Sequence, residues 1–471
     1  MLRNERSRVG TFFKKGLVLV LGCALGSSPL ACGNGEDPSD NDERILKEAL
    51  NDFGTFTAVR LDTPALAAAV RAGQRIRLPA ARQGGGLAER ELELTLRNLR
   101  APELTEFVLK DAEAGSGSTV PLPPPSTYQG IARGGGVAVF TVTDSAIEGS
   151  MLVAPEGWSF IEPLEPQLRL RDVEPDTRRR LLRRYDHVVY NARDALGSDV
   201  FVNDDPGMGP TPGPAPPPSP LVLSIVADGD AALFRAYPLD SVMPFWLKQE
   251  TLLNAVDWLY NCVEPEANAN NAWARCDNDF DGGFGIFQAR VRIDRLEVWT
   301  AGGPDSSQRQ QLLEQSISMS HQSSPPCCGP PHTAGESSAV HFLSGRDLLP
   351  GAGLAAGVGG LNYYGPYCFD SGISFLCHHA VSQIVPSPRF RGTAFHQQSL
   401  VAHEIGHNTG GHEAFSPDYA CWFFGEQCGT SLMHSMSGFN GHGLFVYRED
   451  DAQRIGAVLA EQLGSTAGKS Q

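Results

Sequence analysis

One stretch constrains this chain more than any other: residues 400–413 read L-V-A-H-E-I-G-H-N-T-G-G-H-E. If its first half is helical, His403 and His407 lie four residues apart on one face, where two imidazoles can bind one metal ion. Glu404 lies beside them and reaches the same place. The stretch therefore combines two metal ligands with a carboxylate, and the chain has to fold around that helix.

The pattern is the H-E-x-x-H signature of zinc hydrolases. In such sites the metal lowers the pKa of a water molecule, and the carboxylate takes the proton. The signature is short enough to occur by chance in unrelated proteins, so the neighbouring sequence decides its weight. After Asn408, Gly410 and Gly411 let the chain turn back sharply toward the metal, which brings a third ligand within reach.

The stretch resembles the metzincin pattern H-E-x-x-H-x-x-G-x-x-H, with Gly410 at the required glycine position. The third histidine of that pattern falls on Glu413, whereas His412 comes one residue early. A one-residue deletion leaves His412 as the ligand; otherwise the carboxylate of Glu413 takes its place. We favour His412, because imidazole is a common zinc ligand and the adamalysins (reprolysins) place an acidic residue directly after their third histidine.

A second landmark lies downstream, where C-G-T-S-L-M-H-S-M at 428–436 resembles the Met-turn of metzincins. In that turn a methionine lies beneath the zinc histidines. Met433 is the candidate, with Met436 as the alternative, and an ordinary core methionine fits either position.

Composition limits the class of protein. The 471 residues are 20% charged and carry a formal net charge of −16, which leaves no basic footprint for nucleic acid. The length gives room for two or more domains. No apolar run reaches the roughly 18 to 20 residues that a spanning helix needs.

Residues 1–31 predict an export signal, because a positively charged leader precedes a short apolar core. The segment S-P-L-A-C resembles a bacterial lipoprotein cleavage site and makes Cys32 the candidate lipidated residue, although Pro29 stands where leucine is usual. V-L-G-C ending at Cys23 is an alternative that shortens the apolar core, and plain secretion is another. Residues 32–45 predict a polar, flexible tether.

Cysteine usage agrees with export, since eight of the ten cysteines lie after residue 260. An even number in one half of an exported chain suggests up to four disulfides. The candidate short-range pairs are Cys262–Cys276, Cys368–Cys377 and Cys421–Cys428.

Residues 46–202, called here the N-terminal region, are cysteine-free and contain β-like runs such as 136–142. The basic run at 177–184 is either a processing site or the solvated face of a helix. The Pro-rich stretch 203–220 predicts a stiff linker that separates this region from a catalytic domain at 221–471.

Three motifs of the N-terminal region resemble the adamalysin pro-domain: Tyr128-x-Gly130, Glu148-Gly149 and I-E-P-L at 161–164. The resemblance implies a mainly β pro-domain of a zymogen, and a generic β-domain is the alternative. Because the region has no cysteine, a cysteine thiolate from it cannot hold the zinc, and any inhibition by it must be steric.

The second half alternates strand and helix patterns. The apolar run at 221–228 predicts a buried strand, and the apolar spacing at 252–259 predicts a helix. A strand at 291–299, a helix at 307–321 and a strand at 339–343 are expected to follow. This order, with V-A-D-G-D, N-A-V-D-W-L-Y and H-F-L-S-G-R-D-L, resembles the adamalysin catalytic domain and implies an α/β (α+β) metzincin-like fold with a mixed sheet and an active-site helix.

An acidic insertion predicts a second metal. Asp277, Asp279 and Asp281 alternate and are followed by Gly282, which matches the start of a Ca²⁺ loop. Position twelve of such a loop is Gln288 rather than glutamate. A structural Ca²⁺ site and an acidic surface turn therefore both remain open.

Together these patterns predict an exported Zn²⁺ endopeptidase with Glu404 as general base and His403, His407 and His412 as ligands. We expect a monomer with a protein or peptide substrate, no nucleic-acid partner, and membrane contact only through a lipid anchor. It would lie at a bacterial cell envelope, as an outer-membrane lipoprotein, or be secreted. The alternatives are an envelope binding or adhesion protein on a degenerate protease fold, and a small-molecule zinc hydrolase.

Overall fold

The computed structural model describes the chain in ten segments. They are residues 38–82, 84–133, 136–153, 157–195, 221–261, 289–321, 339–348, 361–362, 379–387 and 390–408. The chain divides into two compact units, Met1–Arg44 and Ile45–Gln471. The described part of the first unit is the beginning of helix α1 (Pro38–Ala49), and the later elements all belong to the second unit.

Helix α1 shows that residues 38–45 of the predicted flexible tether are helical, while residues 32–37 lie outside the described residues. Proline is tolerated at the first helical position, where its missing N–H leaves no bond unmade. Lys47 lies in the last turn, where the helix dipole favours a positive charge.

The N-terminal region builds an antiparallel sheet. Its strands are β1 (Phe56–Val59), β2 (Ile76–Ala81), β3 (Leu87–Leu96), β6 (Thr127–Ala132), β7 (Gly136–Val142), β8 (Ile147–Val153), β9 (Gly157–Pro163) and β10 (His187–Asn191). In the described residues their order across the first sheet is β1-β10-β9-β8-β7-β6-β3-β2. The strand predicted at 136–142 is β7, and the region is mainly β as expected.

Short helices connect and cover these strands. They are α2 (Thr63–Arg71), α3 (Leu164–Leu170), α4 (Pro175–Leu182) and α5 (Ala192–Ala195), with a 3-10 turn at Asn51–Phe53. Most of the basic run at 177–184 lies in α4, where Leu181 is buried while Arg179 and Arg180 are exposed. The structure therefore shows the solvated helix face that was one reading of this run.

The second sheet is mixed. Its strands are β4 (Glu106–Asp111), β5 (Ser116–Pro121), β11 (Leu221–Gly229), β12 (Ala289–Ala301), β13 (Ala339–Ser344), β14 (Leu361–Asn362) and β15 (His379–Gln383). Among the described residues the order is β14-β15-β13-β11-β12-β4-β5. The inner strands pair in parallel, whereas β14 and β5 run antiparallel to their neighbours.

The second half of the chain supplies four more helices among the described residues: α6 (Ala231–Ala236), α7 (Phe245–Asn261), α8 (Arg309–His321) and α9 (Ala394–Asn408). The elements predicted at 221–228, 252–259, 291–299, 307–321 and 339–343 are thus observed as β11, α7, β12, α8 and β13. The protein is mixed α/β, as predicted.

Hairpin β4–β5 was not predicted. The chain leaves the first sheet after β3, pairs β4 with β12 at the second sheet, and returns to the first sheet as β6. The pairing aligns Val108 with Glu297 and Leu109 with Val298. Strands from both sides of the Pro-rich stretch therefore share one sheet; that stretch itself lies outside the described residues.

Helix α7 lies between the two sheets, since it packs against β12 on one side and against β6 and β7 on the other. Asn254 donates through Nδ2 to the carbonyls of Tyr128 (3.1 Å) and Phe140 (3.3 Å). The Trp158 ring of β9 lies 5.4 Å from the Trp258 ring of α7. One apolar core thus continues from the first sheet through α7 to the second.

Two of the motifs that carry the family resemblance meet at Asp230. Its Oδ1 accepts hydrogen bonds from the backbone N–H groups of Leu233 (2.7 Å) and Gly345 (3.0 Å). Its Oδ2 accepts from the hydroxyl of Ser344 at 2.6 Å. Asp230 is the N-cap of α6, a position at which aspartate is preferred, and its hydrogen bonds join β11 to β13. These motif residues are structural.

A matched pair of leucines in β3 tests the core of the first sheet. Leu92 is 0% exposed and Leu96 is 51% exposed. We expect Leu92→Ala to lower the free energy of unfolding by about 2–5 kcal/mol, because it leaves a cavity, while Leu96→Ala changes it by less than about 0.5 kcal/mol. Urea denaturation of both variants measures the difference, and equal effects would contradict this placement of the core.

Candidate metal centre

The H-E-x-x-H residues lie in α9, which ends at Asn408, where the sequence stops favouring a helix. His403 and Glu404 are both 0% exposed. His407 follows His403 by four residues, about one turn further along the same helix. The neighbouring Val401 and Ile405 belong to the main apolar core, so the helix is fixed by burial along this segment.

The turn into α9 is tight. Gly392 has φ +65°, and a Cβ at that position would approach the backbone nitrogen of Pro386 to 2.6 Å, so only glycine fits. The carbonyl of Thr393 accepts the first helical bond, from the N–H of Gln397 at 2.9 Å. Gln397 Nε2 also donates to the carbonyl of Gly392 at 2.9 Å and so holds the turn against the helix.

The N-terminus of α9 is capped by side chains of the N-terminal region. The N–H of Ala394 donates to Glu162 Oε1 at 2.6 Å, and the N–H of Phe395 donates to the hydroxyl of Tyr190 at 3.1 Å. The same hydroxyl donates to Glu162 Oε1 at 2.6 Å. The first N–H groups of a helix have no hydrogen-bond partner within the helix. Here the carboxylate of Glu162 and the phenol of Tyr190 accept those hydrogen bonds.

Glu162 is fully buried, and its second oxygen, Oε2, accepts from Gln167 Nε2 at 2.6 Å. Burial and the nearby charge of Glu148 raise the pKa of Glu162 to about 7, against the opposing effects of Lys248, Tyr190 and the Ala394 amide. Burial and the Glu162 charge raise the pKa of Tyr190 well above its usual value. The phenol therefore stays protonated and donates a hydrogen bond to Glu162.

The loop before α9 is held from the same side. Arg391 Nη1 donates to the carbonyls of Asp52 (2.8 Å) and Ala195 (3.0 Å). Arg171 Nη2 donates to the carbonyl of Arg391 at 3.1 Å. Residues far apart in the sequence thus fix the direction in which the chain enters the helix.

Buried ion pairs fix α7, the helix against which α9 packs. Arg97 pairs with Asp257 through two hydrogen bonds of 2.6 and 2.7 Å. Arg100 and Glu250 form a second such pair and Glu148 and Lys248 a third, and these four side chains are almost fully buried. Removing one partner of a buried pair leaves an uncompensated charge and costs about 3–5 kcal/mol.

Other histidines near the site are buried packing residues. His341 Nε2 lies 3.1 Å from Ser382 Oγ, and burial lowers the pKa of His341 to about 3. Burial and nearby Arg391 lower the pKa of His396 to about 3 as well. Both imidazoles are therefore neutral at neutral pH. His379 is also buried.

Of the predicted site residues, His403 and Glu404 have described side chains, and His407 is described in its backbone only. Outside the described residues lie His412, Glu413, Met433, Asp277, Asp279, Asp281, Cys32, Cys262, Cys276, Cys368, Cys377, Cys421 and Cys428. Within the side chains that are described, no three His, Cys, Asp or Glu residues come together in a group that could hold a metal. The ligand set and the disulfides therefore stay predictions.

Sequence reasoning did not assign a role to Glu162, Tyr190 or Lys248. Glu162 stood in I-E-P-L, and Glu148 in the Glu148-Gly149 motif, as marks of resemblance to a pro-domain. The signal available in the sequence was a carboxylate inside a strand that is mostly apolar. A buried acid of that kind needs donors or a cation from another element. Gln167 donates to Glu162, and Lys248 forms an ion pair with Glu148.

Comparison with known proteins adds no family: the chain matches no protein-family model and no curated protein. None of the helices in the described segments has the length and apolarity of a membrane span.

The raised pKa of Glu162 predicts a pH dependence of stability. The folded state binds the Glu162 proton more tightly than the unfolded state does. The contribution of this proton to the free energy of unfolding is therefore complete below pH about 4.5 and is lost as pH rises through about 7. We expect the stability of the native chain relative to Glu162→Gln to fall across that range. Urea denaturation between pH 4 and 8 measures the difference.

Exposed Glu89 of β3 provides the control for the change of charge, as Glu89→Gln. Native and Glu162→Gln curves that run parallel over the whole range would contradict the raised pKa.

Proposed function

We propose that the chain is an exported zinc-dependent endopeptidase of the adamalysin-like metzincin class. The observation that carries the proposal is that His403 and Glu404 lie in the buried part of one helix, α9, with His407 one turn further on. A helix with these residues at this spacing is the structural context that the H-E-x-x-H signature requires.

The order of elements gives further support. Strand β11, helix α7, strand β12, helix α8 and strand β13 precede α9, which is the order implied by the resemblance to adamalysin catalytic domains. The second sheet is mixed, with β14 antiparallel at its edge. Helix α9 packs against β15 of that sheet and against α7.

The donors suit zinc, which takes imidazole and carboxylate ligands in tetrahedral sites. His403 and His407 would hold the ion, with His412, or alternatively Glu413, as third ligand. Bound zinc supplies Lewis acidity toward a carbonyl and lowers the pKa of water.

Glu404 acts as the general base in this proposal. Its carboxylate takes the proton of the attacking water and then delivers a proton to the leaving amine. Because Glu404 is adjacent to His403 on a buried helix, its backbone is fixed relative to the ligand. A short, firmly packed helix of this kind provides the positioning that proton transfer needs.

The remaining assignments belong to the same proposal. The substrate is a protein or peptide, the protein is a monomer, and it is either secreted or anchored at a bacterial envelope through Cys32. A structural Ca²⁺ site at Asp277, Asp279 and Asp281 is part of the proposal, with an acidic surface turn as the alternative. The displaced third ligand favours one other function, that of an envelope binding protein on a degenerate protease fold.

Replacing Glu404 separates these two functions. We expect Glu404→Gln to lower kcat for cleavage of an unfolded protein by about 10²–10⁴-fold, because the proton acceptor is lost, while bound zinc is retained. Zinc content and melting temperature are measured on the same preparations, with Glu89→Gln as the control. Zinc in the native chain without cleavage would move the assignment to the binding protein.

Single replacements identify the ligands. We expect His403→Gln to abolish zinc binding, whereas His396→Gln, at a buried histidine of the same helix, retains it. Loss of a direct ligand is expected to weaken binding by more than the 10–100-fold typical of an outer partner. Comparing His412→Gln with Glu413→Gln by zinc titration then assigns the third ligand, and we expect the first to lose the metal. Full zinc affinity in His403→Gln would contradict the site.

A further inference from the structure

The N-terminal region contributes backbone pairing to the sheet beneath α9. Strand β4 pairs with β12 over four residue positions, and the backbone of Leu99 and Ala101 bonds to that of Ile293. Without β4, strand β12 would present the unpaired N–H and C=O groups of a sheet edge. Hairpin β4–β5 lies between two strands of the first sheet in the sequence, so the two sheets cannot part without breaking one of them.

Charges reinforce that pairing. Lys110 of β4 lies 2.7 Å from Asp228 Oδ2 at the end of β11 and 2.6 Å from Glu297 Oε2 on β12. Trp299 Nε1 donates to the same Asp228 oxygen at 3.3 Å. A lysine of the N-terminal region therefore forms ion pairs with two carboxylates of the second sheet.

The apolar contacts across the same junction are those of one core. The Phe107 ring of β4 lies 5.7 Å from the Phe245 ring of α7, and the Phe160 ring of β9 lies 5.6 Å from the Phe395 ring of α9. These four side chains are almost fully buried and belong to one cluster. Apolar burial of this kind is typical of permanent rather than separable interfaces.

The N-terminal region also contacts the start of α9. Its first two N–H groups bind Glu162 and Tyr190, and the loop before it binds Asp52 and Arg171. The Tyr190 ring stacks on the Phe160 ring, with 5.4 Å between the ring centroids. This stacking positions the hydroxyl that accepts a hydrogen bond from the N–H of Phe395. The helix that carries His403 and Glu404 is thus oriented by the N-terminal region.

We propose that the N-terminal region is a permanent part of the folded protein, and that Glu162 is a positioning residue for α9. Cleavage of the Pro-rich stretch then leaves the two parts associated, and activity resides in the associated form. This differs from the removable pro-domain that the family resemblance implies. The association does not depend on the proposed peptidase function; the positioning role rests on it.

Cutting the full chain tests the association. A recognition site for a specific protease is placed in residues 205–220, the intact protein is cut, and the products are run on a sizing column in native buffer. We expect both fragments to elute together at the size of the uncut chain and to melt in one transition. Separate elution with a folded 221–471 fragment, or activity that appears only after separation, would overturn the proposal.

Three variants of the full chain test the positioning role. Glu162→Ala removes the acceptor of the Ala394 N–H, Glu162→Gln keeps an oxygen there, and Tyr190→Phe removes only the hydroxyl. We expect kcat to fall about tenfold to a hundredfold in Glu162→Ala, with zinc content and KM nearly unchanged, because small displacements of a catalytic group cost that much. Glu162→Gln recovers most of the loss, and Tyr190→Phe shows a smaller one.

Glu89→Ala is the matched control on an exposed strand position. If Glu162→Ala fails to fold, the kcat of Tyr190→Phe alone tests the positioning role. A folded Glu162→Ala with the kcat of Glu89→Ala, or a Tyr190→Phe with native kcat when Glu162→Ala is unfolded, would refute the role of Glu162. A native chain that cleaves no peptide but whose cut fragments stay together would reject the peptidase and keep the association.

Discussion

The carboxylate of Glu162 at the start of α9 is the interaction on which the position of the candidate site depends. Ala394 sits in the interior, where water cannot satisfy the free N–H of a helix terminus, and an unpaired buried donor costs about 1–3 kcal/mol. Glu162 meets that need, and its own burial is tolerable because Ala394, Tyr190 and Gln167 all donate to it. The helix and the carboxylate therefore stabilise each other.

Helix α7, which lies between the two sheets, fixes their relative arrangement. Its surface toward the first sheet carries buried charges, and each is paired with a residue of the N-terminal region, as in Arg97–Asp257 and Arg100–Glu250. Buried pairs contribute little net stability relative to apolar contacts, but they penalise any arrangement that separates the partners. They therefore fix how the two sheets face each other, and with them the helix that holds His403 and Glu404.

Local patterns predicted much of this fold. The apolar run at 221–228 predicted β11, because a strand buried on both faces is apolar throughout. The spacing of apolar residues at 252–259 predicted α7, because a helix buries one face of each turn. The pairing of 106–111 with β12 could not be predicted, since it joins residues nearly 200 positions apart and leaves no local period. In the site, the histidine spacing predicted one helix face, but the capping role of Glu162 depends on a contact with α9 that only the fold creates.

We propose that α9 holds a zinc ion between residues of the H-E-x-x-H stretch. Anomalous diffraction at the zinc absorption edge, from crystals of the full chain grown with zinc, tests it most directly. We expect one strong peak about 2.0–2.1 Å from an imidazole nitrogen of each of His403 and His407. A peak remote from α9, or none at full zinc saturation, would contradict it.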